Sequence, residues 1–87
     1  MTIYITNIHP GISERKLVRI FKKFGEVSSV VLAAATKPGL TGNFGYVEME
    51  NELQALNAIL NLNRSTLKKC VISVSPAIIL NKKTGQI

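Results

Sequence analysis

The sequence predicts an α+β sandwich in the order strand, helix, strand, strand, helix, strand: a four-stranded antiparallel sheet with two helices on one face. Three observations lead there. Two runs rich in β-branched and aromatic residues, TIYIT at 2–6 and NFGYVEME at 43–50, alternate with a period of two. Two segments, 13–25 and 51–62, carry apolar residues at helical spacing behind a capping side chain. A strand–helix–strand crossover is right-handed by strong preference, so both halves of the chain set their helix on the same side of one sheet.

The elements follow in order. In the first strand Ile3 and Ile5 share one face, and Tyr4 and Thr6 the other. NIHPG ends it, with Pro10 and Gly11 as turn residues. Ser13 caps the first helix, and Glu14 suits the positive N-terminal end of its dipole. Leu17, Ile20, Phe21 and Phe24 make its apolar stripe, and Gly25 stops it. Arg15, Lys16, Arg19, Lys22 and Lys23 cover the remaining surface and read as a solvated face. VSSVVLAA, 27–34, is the second strand, with Val31 and Ala33 pointing away from the helices. ATKPGLTGN is a loop, and 43–50 is the third strand. Asn51 caps the second helix, with Gln54 three residues on in the manner of a capping box. Ala55, Ala58, Ile59 and Leu62 form its apolar side. NRSTLKK is a connection with room for a short hairpin, and CVISVS, 70–75, is the fourth strand, stopped by Pro76. Residues 1–77 thus read as one domain and 78–87 as a C-terminal tail.

Composition narrows the function. The chain has 87 residues, 46% of them hydrophobic, which suits one modest core. Three Phe, two Tyr and no Trp leave that core mainly to Ile, Leu, Val and Ala. Eleven basic residues against five acids, all Glu, give a net charge of +6, which attracts polyanions. One His and one Cys make no zinc set, and Cys70 has no partner for an internal disulfide. His9 reads as a turn residue and Cys70 as an inert strand thiol. The absence of Asp, of a phosphate loop and of a ligand cluster leaves nothing to build an active site from, so no enzyme and no cofactor are expected. The opening residues lack a basic stretch ahead of an apolar run, and VVLAAA is far too short to span a bilayer. A cytoplasmic setting and no membrane partner are the expectation.

With both helices on one face, Tyr4, Phe44 and Tyr46 are left together on the other. At this point the residues resemble the RNA recognition motif family. Its hexamer, aliphatic, aromatic, aliphatic, any, Asn, aliphatic, is matched by IYITNI from Ile3 to Ile8. Its octamer is matched from Phe44 to Val47 within GNFGYVEM, and KFGEV at 23–27 and ISVSPA at 72–77 are also similar to the family. The resemblance implies a ferredoxin-like βαββαβ fold with sheet order fourth, first, third, second. It also implies that Tyr4 and Phe44 each stack on a base, and that Tyr46 packs against sugars or between neighbouring nucleotides. The sequence departs from the octamer in three places. Gly42 replaces the leading basic residue, Asn43 the following Gly, and Met49 the closing aromatic. Met49 falls on the core side, where a Met fills such space.

These residue types suit the chemistry. Every nucleobase has a flat π-face, so an exposed ring binds it without reading its identity, and stacking contributes about 1–3 kcal/mol per base. Duplex RNA, already paired and stacked, does not fit this mode. Base-edge hydrogen bonds then fall to Asn7, Thr6, Asn43, Ser73, Ser75 and the backbone after Pro76. Phosphate contacts fall to Lys37, Lys82 and Lys83. The reading is a non-catalytic single-stranded RNA-binding module of modest affinity and low sequence specificity. Single-stranded DNA is a close variant, because stacking does not distinguish the sugars. A protein-interaction or dimerisation module on the same fold is the alternative. The apolar tail from Ala77 to Leu80 keeps it open, as a segment able to finish the core, fold over the ring face or pair two chains. A monomer is expected.

Overall fold

A computed structural model of the chain describes residues 1–35 and 42–77. The elements are β1 (Thr2–Ile8), α1 (Glu14–Lys22), β2 (Ser29–Ala33), β3 (Asn43–Glu48) and α2 (Glu52–Leu62). Three short strands follow: β4 (Thr66–Leu67), β5 (Cys70–Val71) and β6 (Ser73–Pro76). One four-stranded antiparallel sheet has the spatial order β2, β3, β1, β6, as expected for the βαββαβ fold, with the last strand of the chain completing it. β4 and β5 form a separate two-stranded ribbon.

The helix ends are where the capping chemistry puts them. Ser13 Oγ accepts the Lys16 backbone N–H at 3.1 Å, and Asn51 Oδ1 accepts that of Gln54 at 3.0 Å. The Gln54 side chain lies against Gly25, where an added Cβ would overlap it. The sandwich core joins Ile3, Ile5 and Val47 from the sheet with Leu17 and Phe21 of α1 and Ala55, Ala58 and Ile59 of α2. Met49, just past the end of β3, is fully buried as its core-side placement requires.

Two features depart from simple alternation. Ile8 has the parity of Tyr4 and Thr6, yet it is fully buried in the core. The cause is a bulge in β1. Ile5 lies opposite Gly45 and Ile8 opposite Asn43, so Thr6 and Asn7 together face the single residue Phe44. Asn7 takes the extra step in the left-handed region, at φ 62°. Asn tolerates that region better than most residues, and its Nδ2 donates to the Val71 carbonyl at 2.9 Å. The bulge reverses the face of everything after it.

The second departure is that the expected fourth strand, 70–75, divides. Cys70 and Val71 pair back on Thr66 and Leu67 across a two-residue turn, Lys68–Lys69, with φ of 50° and 69°. Two positive φ values belong to the type of turn whose twist matches a hairpin, although neither residue is the Gly or Asn that usually signals it. Ile72 N–H donates to Ser65 O and Ile72 O accepts from Arg64 N–H, which continues this ribbon. The chain joins β1 only from Ser73, and Val74 N–H is received by Asn63 Oδ1 at 2.9 Å. Pro76 fits because β6 is an edge strand, and Ala77 N–H extends the ladder to Thr2 O. The second strand is also shorter than the expected 27–34. Ser28 donates both its N–H and its hydroxyl to Glu48 O just before β2 begins.

Candidate nucleic-acid interface

Cross-strand partners share a face, so the register assembles the side of the sheet that the helices do not cover. One row across it reads Ser75, Tyr4, Tyr46, Val31. The neighbouring row carries Ser73 opposite Thr6 and Phe44 opposite Ala33, with the bulge between the two pairs. A third row, on the far side of the first, holds Thr2, Glu48 and Ser29. Among the described residues, no helix packs on this side.

The three rings touch one another. Tyr4 and Tyr46 have centroids 5.1 Å apart and planes inclined by 32°. Phe44 lies 6.3 Å from Tyr4 at 58° and 6.4 Å from Tyr46 at 89°, edge-on to the latter. Such tilted and edge-on contacts suit the ring quadrupoles and hold each ring in place. Tyr46 is the most open at 39% exposed, while Tyr4 and Phe44 are half-buried by their neighbours. Beside Phe44 the surface dips into a shallow depression bordered by Tyr4, Thr6, Asn7 and Gly42.

The structure thus brings Tyr4, Tyr46, Phe44, Thr6, Ser73 and Ser75 onto one face. Asn7 lies at its edge, in the bulge, with its amide already donating to Val71. Asn43 is in register with the buried Ile8, so the pleat gives it the helix-side phase, although it also borders the depression. Lys37, Lys82 and Lys83, and the tail 78–87, lie outside the described residues. Described cations near this end of the sheet are Lys68 and Lys69, in the ribbon turn. The Lys68 side chain passes close to Gly11 in the turn after β1.

Gly42 has a structural reason to replace the octamer's basic residue. Its φ is 69°, and a Cβ there would stand 2.9 Å from the Asn7 carbonyl carbon and from Ile8 O. The bulge crosses too close for any side chain. The sequence reading also missed Glu48. Its carboxylate accepts the Thr2 hydroxyl through Oε1 and the Met1 ammonium through Oε2, the latter at 3.2 Å. The Thr2 hydrogen bond first, then the ammonium, hold its pKa below the ordinary glutamate value. The alternation from Tyr46 to Glu48 was the available signal for it. Among the described residues there is no cluster of three His, Cys, Asp or Glu able to hold a metal. No described helix is long and apolar enough to cross a membrane.

The fold and this face define a four-stranded sheet module that displays an aromatic cluster from its two central strands. The chain belongs to the RNA recognition motif family, whose model matches residues 3–73. It is 30% identical over 76 residues to the poly(U)-binding splicing factor PUF60-B of Danio rerio, covering 87% of this chain and 15% of that protein. It is 30% identical over 77 residues to RbpE of Nostoc sp., covering 88% of this chain and 78% of that one. The chain spans between 8% and 15% of the length of three of the curated relatives it matches. Among solved structures, the RNA-binding protein PG1 superposes with a TM-score of 0.79 at 28% identity, covering 93% of this chain and 98% of that one. The Rna15 domain with bound RNA (GU) superposes at 0.75 with 14% identity, covering 98% and 93%, which is a likeness of fold.

Proposed function

We propose that this chain is a non-catalytic module that binds short stretches of single-stranded RNA on the sheet face. The observation that carries the reading is the contiguous cluster of Tyr4, Tyr46 and Phe44 on the face opposite the helices. Packing does not account for it, because the core lies on the other side. The names of the relatives, a poly(U)-binding factor and an RNA-binding protein among them, point the same way.

Ring geometry favours a division of labour different from the one the resemblance implies. Tyr4 and Tyr46 are cross-strand partners inclined by only 32°, so they offer two adjacent platforms for consecutive bases. Phe44, edge-on to Tyr46, is better suited to pack against sugars. Thr6, Ser73 and Ser75 supply hydroxyls for base edges along β1 and β6. Gly42 removes one phosphate contact, and stacking reads no base identity, so modest affinity and weak sequence preference follow. The net charge of +6 adds a salt-dependent term. Single-stranded DNA binds by the same stacking, and the module acts as a monomer in the cytoplasm.

The test is a fluorescence-anisotropy titration with a short unstructured RNA at several salt concentrations, with far-UV circular dichroism on every variant. The expected result is micromolar or weaker binding that falls with salt. Tyr46→Ala and Tyr4→Ala, both still folded, each weaken it by about tenfold, within the range of a lost base–ring stack. Parent-like binding by both folded variants overturns the reading.

A further inference from the structure

We propose that Lys68 and Lys69, at the tip of the β4–β5 ribbon, hold phosphates of the RNA strand where it runs off the rings past the β1 bulge. This track presupposes the sheet-face site and extends it. Asn7 is the point of junction. It borders the depression beside Phe44, and its Nδ2 donates to the Val71 carbonyl at 2.9 Å. Lys69 precedes Val71 by two residues, about 7 Å of extended chain. Lys68 lies along the turn that follows β1: its Cδ is 3.6 Å from where a Cβ on Gly11 would stand. Gly42, packed against the bulge from the β3 side, brings no cation. The row at the opposite end of the ring face, Thr2, Glu48 and Ser29, holds a carboxylate and no Lys or Arg. A strand with its bases on Tyr4 and Tyr46 therefore meets its lysines, among the described residues, at the ribbon end.

Backbone conformation singles out the same residues. The ribbon turn has φ of 50° at Lys68 and 69° at Lys69, where Asn and Gly are the favoured pair. Of the four described non-glycine residues with positive φ, three are basic: Arg64, Lys68 and Lys69, all in the stretch joining α2 to β6. A long side chain held in that region costs stability, and what it brings here is charge. The two lysines are exposed and, among the described residues, make no ion pair. Glu14, the acid nearest in sequence to the turn after β1, directs its carboxylate to the Leu32 N–H on β2, and β3 lies between that strand and β1. No described acid therefore neutralises the lysine pair, and a phosphodiester chain is the polyanion that the neighbouring rings bring to it.

The probe is a short unstructured RNA, titrated by fluorescence anisotropy over a range of salt concentrations. Lys68→Asn combined with Lys69→Gly installs the pair this turn prefers. The expected double variant melts higher than the parent, yet binds RNA about fivefold more weakly at low salt. Its plot of log K against log salt is shallower by about 1.4, the share of two phosphate contacts to a single strand. Lys68→Arg combined with Lys69→Arg keeps the charge and the parent slope. Lys22→Glu lowers the net charge by the same amount as the first double variant and leaves the slope unchanged, which separates a local contact from the charge of the whole molecule. Tyr4→Ala weakens binding with the slope unaltered. If the first double variant keeps the parent affinity and slope while the parent still needs Tyr4 and Tyr46, this proposal is overturned and the sheet-face site stands. An equal loss of slope in Lys22→Glu overturns it too. A parent chain that binds no RNA overturns both.

Discussion

Replacing Asn7 tests the bulge that organises the sheet face. In Asn7→Ala, an ordinary Cβ must hold φ near 62°, at a cost of roughly 1–2 kcal/mol. The hydrogen bond from Nδ2 to Val71 O is lost as well, worth about 0.5–1.5 kcal/mol for an exposed neutral pair. Together these predict a loss of about 2–3 kcal/mol, a large part of the total stability of a small domain. The melting temperature should fall by roughly 10–20 °C. Asn7→Gly separates the two contributions. Glycine accepts positive φ without strain but cannot make the hydrogen bond, so its loss should be smaller than that of Asn7→Ala by roughly 1 kcal/mol. Urea unfolding followed by far-UV circular dichroism measures both. An Ala variant as stable as the Gly variant would refute the assignment of strain to this residue. Unchanged stability in both would show that neither the left-handed backbone nor the Nδ2 hydrogen bond makes Asn7 important to stability.

Other expectations follow from the same contacts. Gly42→Lys restores the basic residue of the octamer, yet its Cβ meets the Asn7 and Ile8 backbone, so it should cost about 1–3 kcal/mol and not raise RNA affinity; thermal melts and anisotropy read the two effects. Glu48 has a lowered pKa in the folded chain, so its contacts stabilise the fold at neutral pH, and that contribution is lost as pH falls through the ordinary glutamate range and below. Glu48→Gln should therefore flatten the acid limb of the stability–pH curve, and an unchanged limb would count against the Thr2 and Met1 contacts as its source. Lys22→Glu lies on the helix side and should leave RNA affinity nearly unchanged, whereas a large loss would move the RNA site off the sheet.

Much of this architecture was legible in the chain. Alternation in TIYIT and NFGYVEME marked the central strands and sent Tyr4, Phe44 and Tyr46 to one side. Ser13 and Asn51 located both helix starts. Ala55, Ala58, Ile59 and Leu62 were legible as the apolar side of α2, and the structure buries the first three in the core with Leu62 packed against it. The split of 70–75 into β5 and β6 had no local marker, since Lys68–Lys69 is an unusual pair for a hairpin turn.

Local sequence by itself determined the period of each segment, because the pleat and the helical turn are set by covalent geometry and sterics. Those rules act between near neighbours, and they suffice to say which side chains travel together. Tertiary structure alone decided where the period slips and which strand each segment joins. The Asn7 bulge, the Gly42 approach and the Glu48 contacts all join backbone or side-chain atoms more than thirty residues apart. Hydrogen bonds of that range are chosen only when the whole sheet closes, because each competes with water until its partner arrives.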